Sequence, residues 1–304
     1  MTVLRRVQLP AGARFDDYTD YQVNYVNYRS GWLIPSTEVW IGDDLQVRVN
    51  ALGCKGDEAI PGVPVIGVFG DSTTFGMGPD SWPAHIRVPG HQPLNAGVEG
   101  HDLARLVERY VQLREKVDLA AVVVGGSWHN LVYNSTGASF WAANLDEFGS
   151  DQPVGVCTLS TALVPDCCDR GLDAAVAAVY SQNNRFLPWG AWPTTPEKTR
   201  ELYGGIMRYN DFVRAYCERS GRILIDLYAA YRPASYEEMG EQFTDPAHQR
   251  PSLYPVLGRT VSAALAPSLQ RRGEDRPSAP LAFNAPLPPS ADDDALHRNI
   301  YPLW

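Results

Sequence analysis

From residue 61 onward, short apolar runs alternate with longer stretches whose apolar residues recur at helical spacing. The runs "VIGVF" (65–69), "QPLNA" (92–96), "LAAVVVG" (119–125), "PVGVCTL" (153–159) and "RILIDL" (222–227) read as strands. "HDLARLVERYVQLREK" (101–116) carries Leu103, Leu106, Val107, Tyr110, Val111 and Leu113 at helical intervals. "PEKTRELYGGIMRYNDFVRAYCERS" (196–220) opens on proline and runs largely helical, and "LYPVLGRTVSAALAPSL" (253–269) reads as a closing helix. Short apolar strands alternating with helices predict an α/β domain over 61–270, its sheet mainly parallel and covered on both faces.

Other regions break this rhythm. Residues 1–60 are aromatic and polar, with Tyr18, Tyr21, Tyr25, Tyr28, Trp32 and Trp40. The 18/21/25/28 spacing suits one face of a helix, yet "YQVNYVNY" alternates like a strand, and the pattern does not separate the two. The rings either pack an N-terminal extension onto the main domain or form a platform for a sugar or acyl group. Residues 132–150 and 160–195 are rich in Trp, Phe, Asn, Gly and Pro and follow strands, which makes them candidate walls or lids, because such sheets bind ligands outside their carboxyl ends. Residues 271–304 are Pro-, Ala- and charge-rich, a tail expected to wrap the surface or stay mobile.

Composition narrows the class. With 44% hydrophobic and 20% charged residues in 304, the chain reads as a soluble globular protein with ample length for a core. A net charge of −9 argues against a nucleic-acid surface, which needs clustered Lys and Arg. The cysteines are Cys54, Cys157, Cys167, Cys168 and Cys217; an odd count without a framework fits reduced thiols. Cys167 and Cys168 lack a matching Cys or His pair, against a structural zinc site. "MTVLRRVQLPAGARF" has no apolar core of a signal peptide, and no apolar stretch is long enough to span a membrane. The expected compartment is cytoplasmic.

The candidate chemistry lies in "VFGDSTTFG" (68–76), where Ser72 follows an apolar strand. Asp71 and Ser72 both suit a helix cap, and Gly70 would ease the turn. Alternatively Ser72 is a nucleophile, which needs a base to take its proton and a third group to orient that base. The histidines are His85, His91, His101, His129, His248 and His297; His248 lies in "QFTDPAHQRP" (242–251), three residues after Asp245. Alone, Asp-x-x-His is expected by chance in about one chain in three of this length, so the weight falls on order and placement. "GDSTT" does not fit the Gly-x-Ser-x-Gly elbow, and no lysine makes it a phosphate loop.

Four blocks in order carry a resemblance: "VFGDSTTFGMG" (68–78), "PLNAGVEGHD" (93–102), "VVVGGSWHNL" (122–131) and "FTDPAH" (243–248). Over about residues 45–270 the chain resembles the SGNH, or GDSL, hydrolases, and "VRVNALGCKGDE" (47–58) is similar to a lead-in of one branch. The resemblance implies a three-layer α/β/α sandwich around a mainly parallel five-stranded, flavodoxin-like sheet. It implies Ser72 as nucleophile, His248 as base and Asp245 as its orienter, with the N–H groups of Ser72 and Gly97 in the oxyanion hole. The third block departs from the family's Gly-x-Asn-Asp. An ungapped match puts His129 on the Asn position and a one-residue shift puts Asn130 there; either side chain can donate. By itself, His129 also fits a core histidine bonded to backbone. The implied activity is a serine esterase acting on an acyl or acetyl ester of a small molecule or sugar, without metal or cofactor. An acyltransferase using the same acyl-enzyme, and a non-catalytic binding protein on this fold, are the alternatives.

Overall fold

The computed structural model describes residues 4–9, 25–27, 30–132, 137–165, 196–233 and 238–275. The described N-terminal residues form strands: β1 (Arg5–Leu9), β2 (Val26–Asn27), β3 (Trp32–Leu33), β4 (Thr37–Ile41) and β5 (Asp44–Val49). β4 pairs parallel to β1 and antiparallel to β5, and β2 pairs antiparallel to β3. Of the aromatic residues here, Trp32 and Trp40 lie in β3 and β4 and Tyr25 is in the turn just before β2, while Tyr18, Tyr21 and Tyr28 lie outside the described residues. Tyr25, Leu33, Val39, Val47 and Val49 close a small core on Phe75 and Val98 of the main domain. The fully buried Tyr25 ring stacks on Phe75, centroids 5.6 Å apart and planes 8° from parallel.

The main sheet contains β6 (Val65–Phe69), β7 (Gln92–Asn95), β8 (Leu119–Val124), β9 (Val154–Cys157) and β10 (Ile223–Ile225). Its order is β10-β9-β8-β6-β7, and every pairing is parallel. Each of the five apolar runs is thus a strand. Counted within the sheet the order is 2-1-3-4-5, the doubly wound arrangement whose ligand crevice opens between the carboxyl ends of the first and third strands. Those strands are β6 and β8. Lys55 stitches the extension to this sheet, forming antiparallel bridges to Val49 on one side and to Asn95, in edge strand β7, on the other.

Among the described residues the α-helices are α1 (Ser72–Phe75), α2 (Leu103–Arg114), α3 (Trp128–Val132), α4 (Ala138–Asp146), α5 (Pro196–Ser220), α6 (Leu227–Ala230), α7 (Met239–Gln242) and α8 (Tyr254–Asp275). One sheet face, with Ile66, Val68, Ala121, Val123, Cys157 and Ile225, is covered by Tyr254, Leu257, Val261 and Leu265 of α8. The other, with Val65, Phe69, Val122, Val124 and Val156, meets Leu106, Tyr110 and Leu113 of α2 and Ile206, Tyr209 and Val213 of α5. Both covers use helical spacing, and both strand faces are buried, as a three-layer α/β/α domain requires. Within the first candidate lid, the described residues 137–150 belong to this layer instead: Trp141, Leu145 and Phe148 are core residues. Most of the second candidate lid (166–195) and the tail from 276 lie outside the described residues. Cys54, Cys157 and Cys217 are buried free thiols; Cys167 and Cys168 also lie outside them. Among the described residues no helix is long and apolar enough to cross a membrane.

Candidate active site

Ser72 stands where β6 gives way to α1, at the crevice between β6 and β8. Asp71 is the N-cap: its Oδ1 accepts from Thr73 N at 3.0 Å and from Thr73 Oγ1 at 2.8 Å, leaving the Ser72 hydroxyl out of the capping bonds. Its Oδ2 accepts from Trp128 N at 2.7 Å, fixing the turn after β8 to the turn after β6. Thr74 sets the close approach of these turns. A Cβ on Gly70 or Gly125 would run into its side chain, so both positions need glycine.

His248 arrives from the loop before α8. Asp245 Oδ1 accepts from Ala247 N (2.8 Å) and His248 N (2.9 Å), folding the loop back on itself, while Thr244 N donates to His248 O at 2.9 Å. Pro246 O accepts from Ala162 N (3.0 Å) and Thr161 Oγ1 (2.8 Å), which braces the loop on the segment after β9. Asp245 Oδ2 then lies 2.6 Å from His248 Nδ1, and His248 Nε2 lies 2.7 Å from Ser72 Oγ. The three-residue Asp–His spacing has a physical cause: one carboxylate oxygen holds the turn and the other holds the ring. With the carboxylate accepting, Nδ1 carries the proton and Nε2 is left to accept from the Ser72 hydroxyl.

Electrostatics keep this relay polarised. Burial opposes ionisation of Asp245, but His248 and the two backbone N–H bonds outweigh it and hold the carboxyl below its ordinary value. Burial likewise opposes the imidazolium, yet the Asp245 carboxylate prevails and His248 is pushed up to about 9. Asp71 and Glu99 contribute in the same direction.

Gly97 does not serve as the sequence predicts. Its N–H donates to Asn95 Oδ1 at 2.9 Å, and a Cβ there would meet Phe75 N and Thr74, so Gly97 is a packing glycine behind α1. Gly100, three residues on and at φ +77, faces the other way: a Cβ on it would lie 3.6 Å from His129 Nε2. His129 sits in α3 and is half-buried; burial lowers its pKa despite Asp71 and Asp102, which favours the neutral ring. Asn130 is in the same helix, and its side chain lies outside the described residues.

No family model and no curated protein sequence matches the chain. Its structural neighbours are GDSL-type lipolytic proteins, acylhydrolases and an O-acetyltransferase domain. The catalytic domain of Streptococcus pneumoniae peptidoglycan O-acetyltransferase A is 15% identical, at a TM-score of 0.43 over 71% of this chain and 97% of that one. A GDSL-like lipase from Bacteroides thetaiotaomicron is 12% identical, at 0.43 over 71% and 93%. A member of the G-D-S-L lipolytic family from Veillonella parvula is also 12% identical, at 0.42 over 65% and 95%. The chemistry of this chain is read from its own side chains.

Sequence reasoning missed two residues that shape the site. Asp71 shows in the sequence as a possible cap, but its second bond, to Trp128 N, spans 57 positions and leaves no local signal. Lys55 has none either; its partners belong to residues 75–80.

Proposed function

We propose that the protein is a serine hydrolase of carboxylic esters, with Ser72 as nucleophile, His248 as general base and Asp245 as orienter. The observation that carries this reading is the line of short contacts from Asp245 Oδ2 through the His248 ring to Ser72 Oγ, at 2.6 and 2.7 Å. A serine hydroxyl so placed gives its proton to Nε2 as Oγ attacks an ester carbonyl, and Asp245 stabilises the imidazolium that forms. The oxyanion of the tetrahedral intermediate takes hydrogen bonds from the N–H groups of Ser72 and Gly100 and from the side chain of Asn130 or His129. Each such donor is worth about 3 kcal/mol of transition-state stabilisation. His248 then protonates the departing alcohol, and water, activated by the same imidazole, releases the acyl group.

Labelling of the pure protein with a fluorophosphonate, followed by an ester panel, tests this. Covalent labelling that Ser72→Ala abolishes is expected, with carboxylic acid as product. An unlabelled wild-type protein without activity on any ester identifies a binding protein instead. Acyl transfer to added alcohols or amines in preference to water identifies an acyltransferase.

A further inference from the structure

The geometry points to Lys55, in the N-terminal extension, as a positioning residue for the nucleophile: we propose that its buried ammonium fixes Ser72 by clamping the carbonyl end of α1. The inference rests on the reading of Ser72 as nucleophile.

α1 has four residues, too few to satisfy its own carbonyls. Other elements meet them. Trp82 Nε1 donates to Thr73 O at 3.1 Å, and Asn95 Nδ2 donates to Thr74 O at 3.0 Å. At the end of the helix and the turn beyond it, Lys55 Nζ donates to Phe75 O (2.8 Å), Asp80 O (3.1 Å) and Gly76 O (3.2 Å), with Asn95 Nδ2 also reaching Phe75 O at 3.3 Å. Three carbonyls thus take the three donors of one ammonium. Nζ also lies 4.2 Å from the centre of the Phe75 ring, the ring on which Tyr25 stacks. Lys55 is 5% exposed, and its backbone N donates to Asn95 O at 2.8 Å, so the stem is anchored where the extension joins edge strand β7.

This is an expensive arrangement for mere packing. A buried ammonium without a carboxylate bonded to it is disfavoured, and burial lowers Lys55 to about 7 although Glu99 and Asp80 oppose the shift. A cation at the C-terminal end of a helix is, however, the charge that the helix carbonyls favour. The choice of lysine fits too. Only three of the 26 basic residues, Lys55, Lys116 and Lys198, are lysines, and three converging carbonyls suit a compact head better than a planar guanidinium. With both ends of so short a helix held, Asp71 at its start and Lys55 at its end, the backbone that carries Ser72 is fixed beneath its hydroxyl.

The test compares wild type with Lys55→Met, which keeps a long apolar stem and removes the donors and the charge. Expected are a 10- to 100-fold lower kcat on 4-nitrophenyl acetate, KM within about threefold, and fluorophosphonate labelling of Ser72 slowed by the same factor. Propylamine added to Lys55→Ala should restore part of the rate saturably. A folded Lys55→Met protein labelled within twofold of wild type overturns the inference, as does a loss confined to KM. Where the neutral variants fold only with propylamine present, the amine is removed from the folded Lys55→Ala protein. The labelling rate should then fall before the circular dichroism changes; a rate that only tracks unfolding overturns the inference. A wild-type protein that is not labelled at all rejects Ser72 as nucleophile and is read separately.

Discussion

Asp71 Oδ2 accepts a hydrogen bond from Trp128 N at 2.7 Å, joining the turn that carries Ser72 to the helix that carries His129. Because Oδ1 is taken by Thr73, both carboxylate oxygens are committed. Asp71→Asn must turn an amide N–H toward one of these donors. It should cost about 1–3 kcal/mol of stability and lower kcat as well, since both sides of the crevice lose their common anchor. Thermal melts and ester kinetics check this; unchanged values in both would show that the bond is dispensable.

Ser72→Ala should leave the fold intact and reduce kcat by about 10³ or more. His248→Ala and Asp245→Asn should also be strongly impaired, and adding either to Ser72→Ala should change little further, because such residues act as a unit. Full activity in His248→Ala would transfer the role of base to another histidine, His129 first.

The pH dependence carries two opposite signs. The base must be neutral, so the raised titration of His248 should lift kcat/KM with pH toward 9, past the ordinary imidazole value of 6.5, while loss of the Lys55 proton above about 7 opposes that rise in wild type and not in Lys55→Met. For stability, the folded state favours the protonated ring; that contribution is complete below 6.5 and is lost as pH rises through about 9. Asp245, held below its ordinary 3.8, contributes above that value and loses its contribution as pH falls through its folded titration. The melting-temperature difference between wild type and His248→Ala should therefore be largest between these limits and shrink toward pH 9. A difference independent of pH would detach the ion pair from stability.

For the oxyanion donors, Asn130→Ala should lower kcat by about 10²–10³ with little change in KM, and His129→Ala should do much less. The reverse ranking makes the imidazole the donor. Because burial favours the neutral ring of His129, that outcome would require its N–H, and methylating the ring nitrogen would abolish it.

Gly125→Ala should destabilise strongly or prevent folding, since the new methyl and the Thr74 side chain claim the same space. Thr74→Ala should relieve much of that loss, and a double-mutant cycle on melting free energies reads the coupling directly. Additive effects would mean that another neighbour sets the glycine requirement.

Much of this architecture is written locally. Apolar runs as pure as "LAAVVV" have few places to go but a two-faced sheet, and α5 obeys its proline start and ends at Ser220 as its spacing predicts. The Ser72, Asp245 and His248 neighbourhood is legible because Asp245 and His248 share one turn and Ser72 ends one strand. The aromatic extension was ambiguous because Tyr25 is fixed by a ring 50 positions away, which no period records. Gly97 misled for a related reason: whether its N–H faces substrate space or Asn95 Oδ1 depends on a side chain two residues back that also reaches across to α1.

Ser72 Oγ and His248 Nε2 meet across 176 positions of chain, whereas the side chains that meet the carbonyls of α1, from Lys55, Trp82 and Asn95, all come from before residue 96. During synthesis these carbonyl partners are thus made long before the imidazole, and closing so long a loop comes late among the folding events. On the proposed chemistry, a ribosome-bound chain stalled ahead of residue 248 holds an unactivated hydroxyl. Reactivity toward a fluorophosphonate then becomes a clock for the docking of α8, and the growing protein stays inert toward the acyl esters around it until that last element is home.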